Sequence, residues 1–166
     1  YDKSGLSLIT SSVRRPSPDV LDPKIHHCNL IQSILAKIEA THAGADDAVL
    51  LDSNGFVAET NATHLFIVEG GTVITSRLVA CPEGITREVV LGLCCDNDIP
   101  HEVRDVSLTE VYRAEEMFCT GTMGELAPIT QVDGRTIGSG GIGLMTRRLA
   151  KLFKACVVAE AEPVLD

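Results

Sequence analysis

Three dipeptides constrain this chain more than any other feature: Asn54-Gly55, Gly70-Gly71 and Asp133-Gly134. Asn, Asp and Gly tolerate the positive φ that two-residue hairpin turns require. Each pair separates two short runs rich in strand-forming residues. Residues 48–52 and 56–59 flank the first, 64–68 and 72–75 the second, 127–132 and 135–137 the third. Three such turns predict antiparallel hairpins. Further strands are expected at 5–15, 101–106 and 116–120.

Helical periods interrupt the hairpins. Pro16, Pro18 and Pro23 enforce a loop after the first strand. From Asn29 on, Leu30, Ile31, Ile34, Leu35 and Ile38 fall on one helix face, with Lys37 and Glu39 off it. A second helix opens at Gly84-Ile85-Thr86-Arg87, with Ile85, Val89, Val90, Leu93 and Cys94 as its stripe. Ser107 and Glu110 have capping-box spacing before a short helix. A last helix is expected over about 143–156, with Leu149 and Phe153 inward and a loose acidic tail at 157–166. Hairpins interleaved with three main helices predict a mixed α/β (α+β) domain over 1–156, not a doubly wound sheet.

Composition narrows the function. The 166 residues suit one domain, and the net charge is −9 with scattered lysines and arginines. Nucleic-acid binding needs a clustered basic face, so it is not expected. No apolar run approaches the roughly 20 residues that span a bilayer, and no membrane partner is expected. Six cysteines without a C-x-x-C pair fit free thiols in a reducing, cytoplasmic setting. The five histidines have no metal-ligand spacing. The chain starts at Tyr1, not Met, which fits a piece of a longer protein.

Three stretches stand out chemically. E-T-N-A-T-H-L-F, residues 59–66, breaks two apolar strands with polar residues. It reads either as a turn hydrogen-bonded by Asn61 or as a carboxylate, Glu59, held at a strand end toward a ligand. G-I-T-R at 84–87 is a helix start, with either Thr86 as a cap or free N–H groups that attract phosphate. T-G-T-M-G-E at 120–125 is either a Gly-rich turn or a backbone that approaches a phosphate closely.

In this order, and with the A-K-I-E-A (36–40) and D-G-R-T-I-G (133–138) blocks, the sequence resembles the class IV aminotransferases from about residue 1 to residue 154. These are fold-type IV enzymes that use pyridoxal 5'-phosphate (PLP). The resemblance implies the family's large domain, a pseudo-barrel of hairpins and short strands, without its small N-terminal domain. It implies a homodimer that transfers amino groups between a branched-chain or D-amino acid and a 2-oxo acid. An aminodeoxychorismate lyase or a catalytically silent relative is the alternative. By resemblance Glu59 supports the protonated pyridine nitrogen, while Ile85, Thr86, Gly121 and Thr122 bind the cofactor phosphate. Glu83 departs from the family's L-P-G-I-T-R and brings a negative charge near that phosphate. Facing inward it would cost ~1 kcal/mol, and facing water little.

The family also needs a lysine that bonds covalently to PLP, commonly as K-x-x-N before the first helix. Asn29 fits the asparagine, which puts His26 at the lysine position. Lys24 lies two residues earlier and is the expected Schiff-base lysine, reaching the cofactor through a flexible loop. Otherwise His26 fills the slot and the cofactor is held without a covalent link.

Overall fold

The computed structural model describes residues 4–161; the first three residues and the end of the expected acidic tail lie outside them. In chain order the elements are β1 (Leu6–Arg14), α1 (Pro18–Leu21), α2 (Ile31–His42), β2 (Asp47–Leu51), β3 (Val57–Glu59), β4 (His64–Glu69) and β5 (Thr72–Thr75). They continue with α3 (Ile85–Asp96), β6 (His101–Val103), α4 (Leu108–Arg113), β7 (Glu116–Gly121), β8 (Glu125–Val132), β9 (Arg135–Thr136) and α5 (Leu144–Glu160). All three expected hairpins form, as the β2–β3, β4–β5 and β8–β9 pairs.

One sheet takes every strand, in the order β3-β2-β1-β8-β7-β4-β5-β6, with β9 beside β8. The β1–β2, β1–β8 and β5–β6 pairs are parallel, and the others antiparallel. The sheet curls until its two edges meet. Val57 in β3 donates its N–H to the carbonyl of Val106, just past β6, at 2.8 Å. This bond makes the architecture the expected pseudo-barrel.

Strand alternation divides the core. Leu65 and Ile67 of β4 face the barrel interior with Leu8, Val49, Met117 and Ile129. Phe66 and Val68 face outward, under Val90 and Cys94 of α3 and Leu149 and Phe153 of α5. The Phe66 and Phe118 rings are register partners and stack with centroids 4.9 Å apart. Glu116 of β7 fixes α5 by accepting the N–H groups of Met145 (2.9 Å) and Thr146 (2.8 Å). A Cβ on Gly143 would lie 1.8 Å from the Glu116 carboxyl carbon, so this cap requires glycine.

Three local readings change. The proline-rich connection is not a plain loop, because α1 and a 3-10 turn at Pro23–Ile25 each begin on a proline, where the missing N–H is not needed. α5 runs to Glu160, four residues past its expected end. Most important, the aliphatic stripe of α2 does not pack. Leu30, Ile31, Ile34, Leu35 and Ile38 are 44–56% exposed. The buried face is Ser33, Ala36 and Ala40, whose small side chains let the helix lie close on Ala48 and Leu50. Glu39 adds polar ties, accepting from the Ser11 hydroxyl (2.5 Å) and the Ser12 N–H (2.9 Å).

Candidate functional site

A cavity of about 710 Å³ opens where the three sequence stretches converge. Its wall takes Glu59, Asn61 and His64 from the β3–β4 connection and Gly84 to Arg87 from the start of α3. Thr120, Gly121 and Thr122 come from the end of β7, His26 and His27 from the segment leading into α2, and Ser33 from α2 itself. Arg15, just past β1, closes one side.

Glu59 ends β3 and is 4% exposed. Arg15 meets it with a guanidinium nitrogen 2.9 Å from one carboxylate oxygen. The same Arg15 nitrogen also donates to the Ser33 hydroxyl (3.0 Å) and the Thr60 carbonyl (3.4 Å), while Arg15 Nε has no partner. Burial pushes the Glu59 carboxyl up to about 7, with Arg15 pulling the other way. The nearby Cys81 thiol is pushed up to about 12 by burial and, secondarily, by the Glu59 charge, so it stays protonated. The expected polar turn forms, and Glu59 lies buried at the strand end on the cavity wall, but Asn61 does not hold the turn. The turn is held by Thr60, whose hydroxyl accepts the N–H of Thr63 (3.0 Å) and lies 2.7 Å from the Thr63 hydroxyl. Asn61 is left to line the cavity.

The start of α3 has Gly84 as its N-cap and no side-chain cap; Thr86 does not cap it. Its first-turn N–H groups therefore lack intrahelical partners, and they carry the positive end of the helix dipole into the cavity wall. His64 sets this geometry. Its Nε2–H donates to the Pro82 carbonyl at 2.8 Å, and burial holds its pKa down, so the ring is neutral. A Cβ on Gly84 would lie 2.4 Å from His64 Cε1. Thr86 and Arg87 are buried, whereas Ile85 is 84% exposed and leaves the expected apolar stripe. Glu83 is exposed and faces water at the cavity mouth.

Across the cavity, the buried Thr120 hydroxyl has no hydrogen-bond partner. Gly121 packs where a Cβ would touch the Thr63 methyl at 3.0 Å. Of the two candidates before α2, His26 lines the cavity and Lys24 does not. Lys24 lies in the exposed 3-10 turn, and His26 follows it at φ 54°. Among the described residues no group of three or more His, Cys, Asp or Glu could hold a metal ion, and no helix is long and apolar enough to cross a membrane.

The sequence reading missed Arg15, Arg87, His64, Thr120, Ser33 and Lys37 as lining residues. Thr120 and Arg87 stood inside quoted motifs. Arg15 had no local signal, because an arginine after a strand is ordinary until the fold brings Glu59 to it.

The family model described as amino-transferase class IV matches residues 1–132. The chain belongs to this family. A class IV relative from Arabidopsis thaliana, branched-chain-amino-acid aminotransferase-like protein 2, is 46% identical over 99% of this chain and 30% of its own length. The branched-chain-amino-acid aminotransferase of Pseudomonas aeruginosa is 36% identical over 96% of this chain and 52% of its own. The crystal structure of the branched-chain aminotransferase from Thermobaculum terrenum in its PLP form superposes with a TM-score of 0.91 at 33% identity, covering 96% of this chain and 53% of that one. The chain thus spans about half or less of the length of these relatives.

Proposed function

We propose that the intact protein is a PLP-dependent aminotransferase that exchanges amino groups between a branched-chain amino acid and a 2-oxo acid. The observation that carries this is one cavity bounded by a buried carboxylate and by two loops suited to a phosphate. The uncapped start of α3 and the partnerless Thr120 hydroxyl fit a group rich in acceptor oxygens. Ile85, Thr86, Gly121 and Thr122 would hold the phosphate, with Thr120 beside them. When bound, PLP supplies an electron sink for the charge left by an amino acid's departing α-proton.

Glu59 would stabilise a protonated ring nitrogen. One of its oxygens meets Arg15, which leaves the other for a ligand. Arg15 holds the carboxyl in place and offsets part of the burial that disfavours its charge. The 24–27 segment would supply the group that holds and moves a proton in the cavity, with Lys24 or His26 as that group. On this reading residues 1–156 form the cofactor-holding domain. The exposed aliphatic face of α2 supports a homodimer, since such a stripe is seldom left to water. Six free thiols support a cytoplasmic location.

The test is a transamination assay on the intact protein with leucine, D-alanine and aminodeoxychorismate as separate donors. Leucine should react and Glu59→Ala should slow turnover sharply. Near-normal turnover in that variant would reject the role of Glu59, and reaction of aminodeoxychorismate alone would favour the lyase.

A further inference from the structure

We infer that Arg87 is the counter-ion of the cofactor phosphate, with its partnerless Nε–H as a donor to it. The inference rests on the PLP-type reading of the cavity and adds the side chain that makes one end of it select a phosphate.

Among the described residues, the buried side-chain polar atoms without a partner are Arg15 Nε, His27 Nδ1, Arg87 Nε and the Thr120 hydroxyl. All four residues line the cavity. The two arginines differ in one respect. Arg15 meets the Glu59 carboxylate at 2.9 Å. Arg87 is 3% exposed and takes part in none of the ion pairs among the described residues. Its Nη2 donates to the Ser76 carbonyl at 3.1 Å, a neutral partner. An arginine stays protonated in a protein, so this is a buried cation facing no anion. Such a charge is costly unless something pairs with it.

The groups around Arg87 do not supply that pair. Cys81, pushed up to about 12, is a neutral thiol; Arg87 acts on it more strongly than Arg15 or Lys24 does. His64 is neutral, and the Arg87 charge helps to keep it so. Glu83 and Glu88 flank the helix start but are exposed to water. The first-turn N–H groups of α3 add further positive potential. The cavity is therefore polarised. At the β3 end a cation and a carboxylate offset each other. At the α3 end a guanidinium and a helix start both call for negative charge. A ligand with a phosphate on one side and a ring nitrogen on the other is oriented by this difference.

The experiment uses the intact protein freed of cofactor. Calorimetric titration compares pyridoxamine 5'-phosphate with pyridoxamine. The two differ by the phosphate alone, so their affinity ratio isolates its contribution. The Arg87 Nε–H resonance, assigned from its loss in Arg87→Lys, is followed by NMR as each compound is added. We expect Arg87→Gln to lower the ratio about tenfold, as loss of a charge-assisted hydrogen bond does, with pyridoxamine affinity unchanged. Arg87→Lys keeps the charge and should retain most of the ratio, which a residue that merely packs α3 would not show. The resonance should move with pyridoxamine 5'-phosphate and stay in place with pyridoxamine. Where Arg87→Gln does not fold, the resonance in the unaltered protein decides. An unchanged ratio in Arg87→Gln, an equal loss in Arg87→Lys, or an unmoved resonance overturns this inference alone. If the unaltered protein does not bind pyridoxamine 5'-phosphate, or binds it no tighter than pyridoxamine, the inference falls together with the reading of the cavity.

Discussion

Replacing Glu59 with glutamine makes a stability prediction with a definite sign. Burial raises the Glu59 carboxyl from its ordinary 4.5 to about 7 in the folded protein. Each pKa unit corresponds to about 1.4 kcal/mol, so the ionised form costs the fold roughly 3 kcal/mol relative to the unfolded chain. Below about pH 4.5 the carboxyl is protonated in both states and there is no cost. As pH rises through 7 the folded protein must give up a proton that it holds more tightly, and that stability is lost. Glu59→Gln has no proton to give up. Its stability minus that of the unaltered protein should therefore climb by about 3 kcal/mol between pH 4.5 and pH 8, whatever the offset from altering the Arg15 contact. Urea unfolding of both cofactor-free proteins across that range measures the difference, and other titrating groups cancel. A difference that stays flat within about 1 kcal/mol would refute the account of a carboxylate buried against one arginine.

Three further outcomes follow from the same contacts. Arg15→Gln leaves Glu59 buried without its counter-charge and should cost about 3–5 kcal/mol, while Arg15→Met with Glu59→Leu together should recover most of it in a double-mutant cycle read by denaturation. Gly84→Ala drives a methyl into the His64 ring, so unfolding experiments should show a loss of about 1–3 kcal/mol, with weaker cofactor binding in the same samples. Ser107→Ala removes the capping box of α4, where Glu110 and Ser107 cap each other; melting should report about 1 kcal/mol lost and titration an unchanged cofactor affinity.

The hairpins were legible because their turns are local: Gly70-Gly71 and Asp133-Gly134 take positive φ at both residues of a two-residue turn, while the first connection is longer, with positive φ at Gly55 and the Asp52 carboxylate accepting the Asn54 and Phe56 N–H groups. The capping box was legible for the same reason. The packing face of α2 was not. Hydropathy points to the large aliphatics, yet contact with the sheet is made by Ser33, Ala36 and Ala40, where close approach outweighs apolar area. The site divides along the same line. Its three polar stretches could be picked out singly, and Glu59 with them. Their convergence, the pairing with Arg15 and the partnerless Thr120 hydroxyl exist only once the sheet has curled. Spacing to Asn29 put His26 in the lysine position, and reach alone left Lys24 in contention. Nothing in the sequence could tell which side chain lines the cavity.

The most direct measurement is a crystal structure of the intact protein with pyridoxamine 5'-phosphate. The account predicts the phosphate against Ile85, Thr86, Gly121 and Thr122, with the ring nitrogen at hydrogen-bond distance from Glu59. A ligand with its phosphate elsewhere, or with Glu59 still meeting only Arg15, would contradict it.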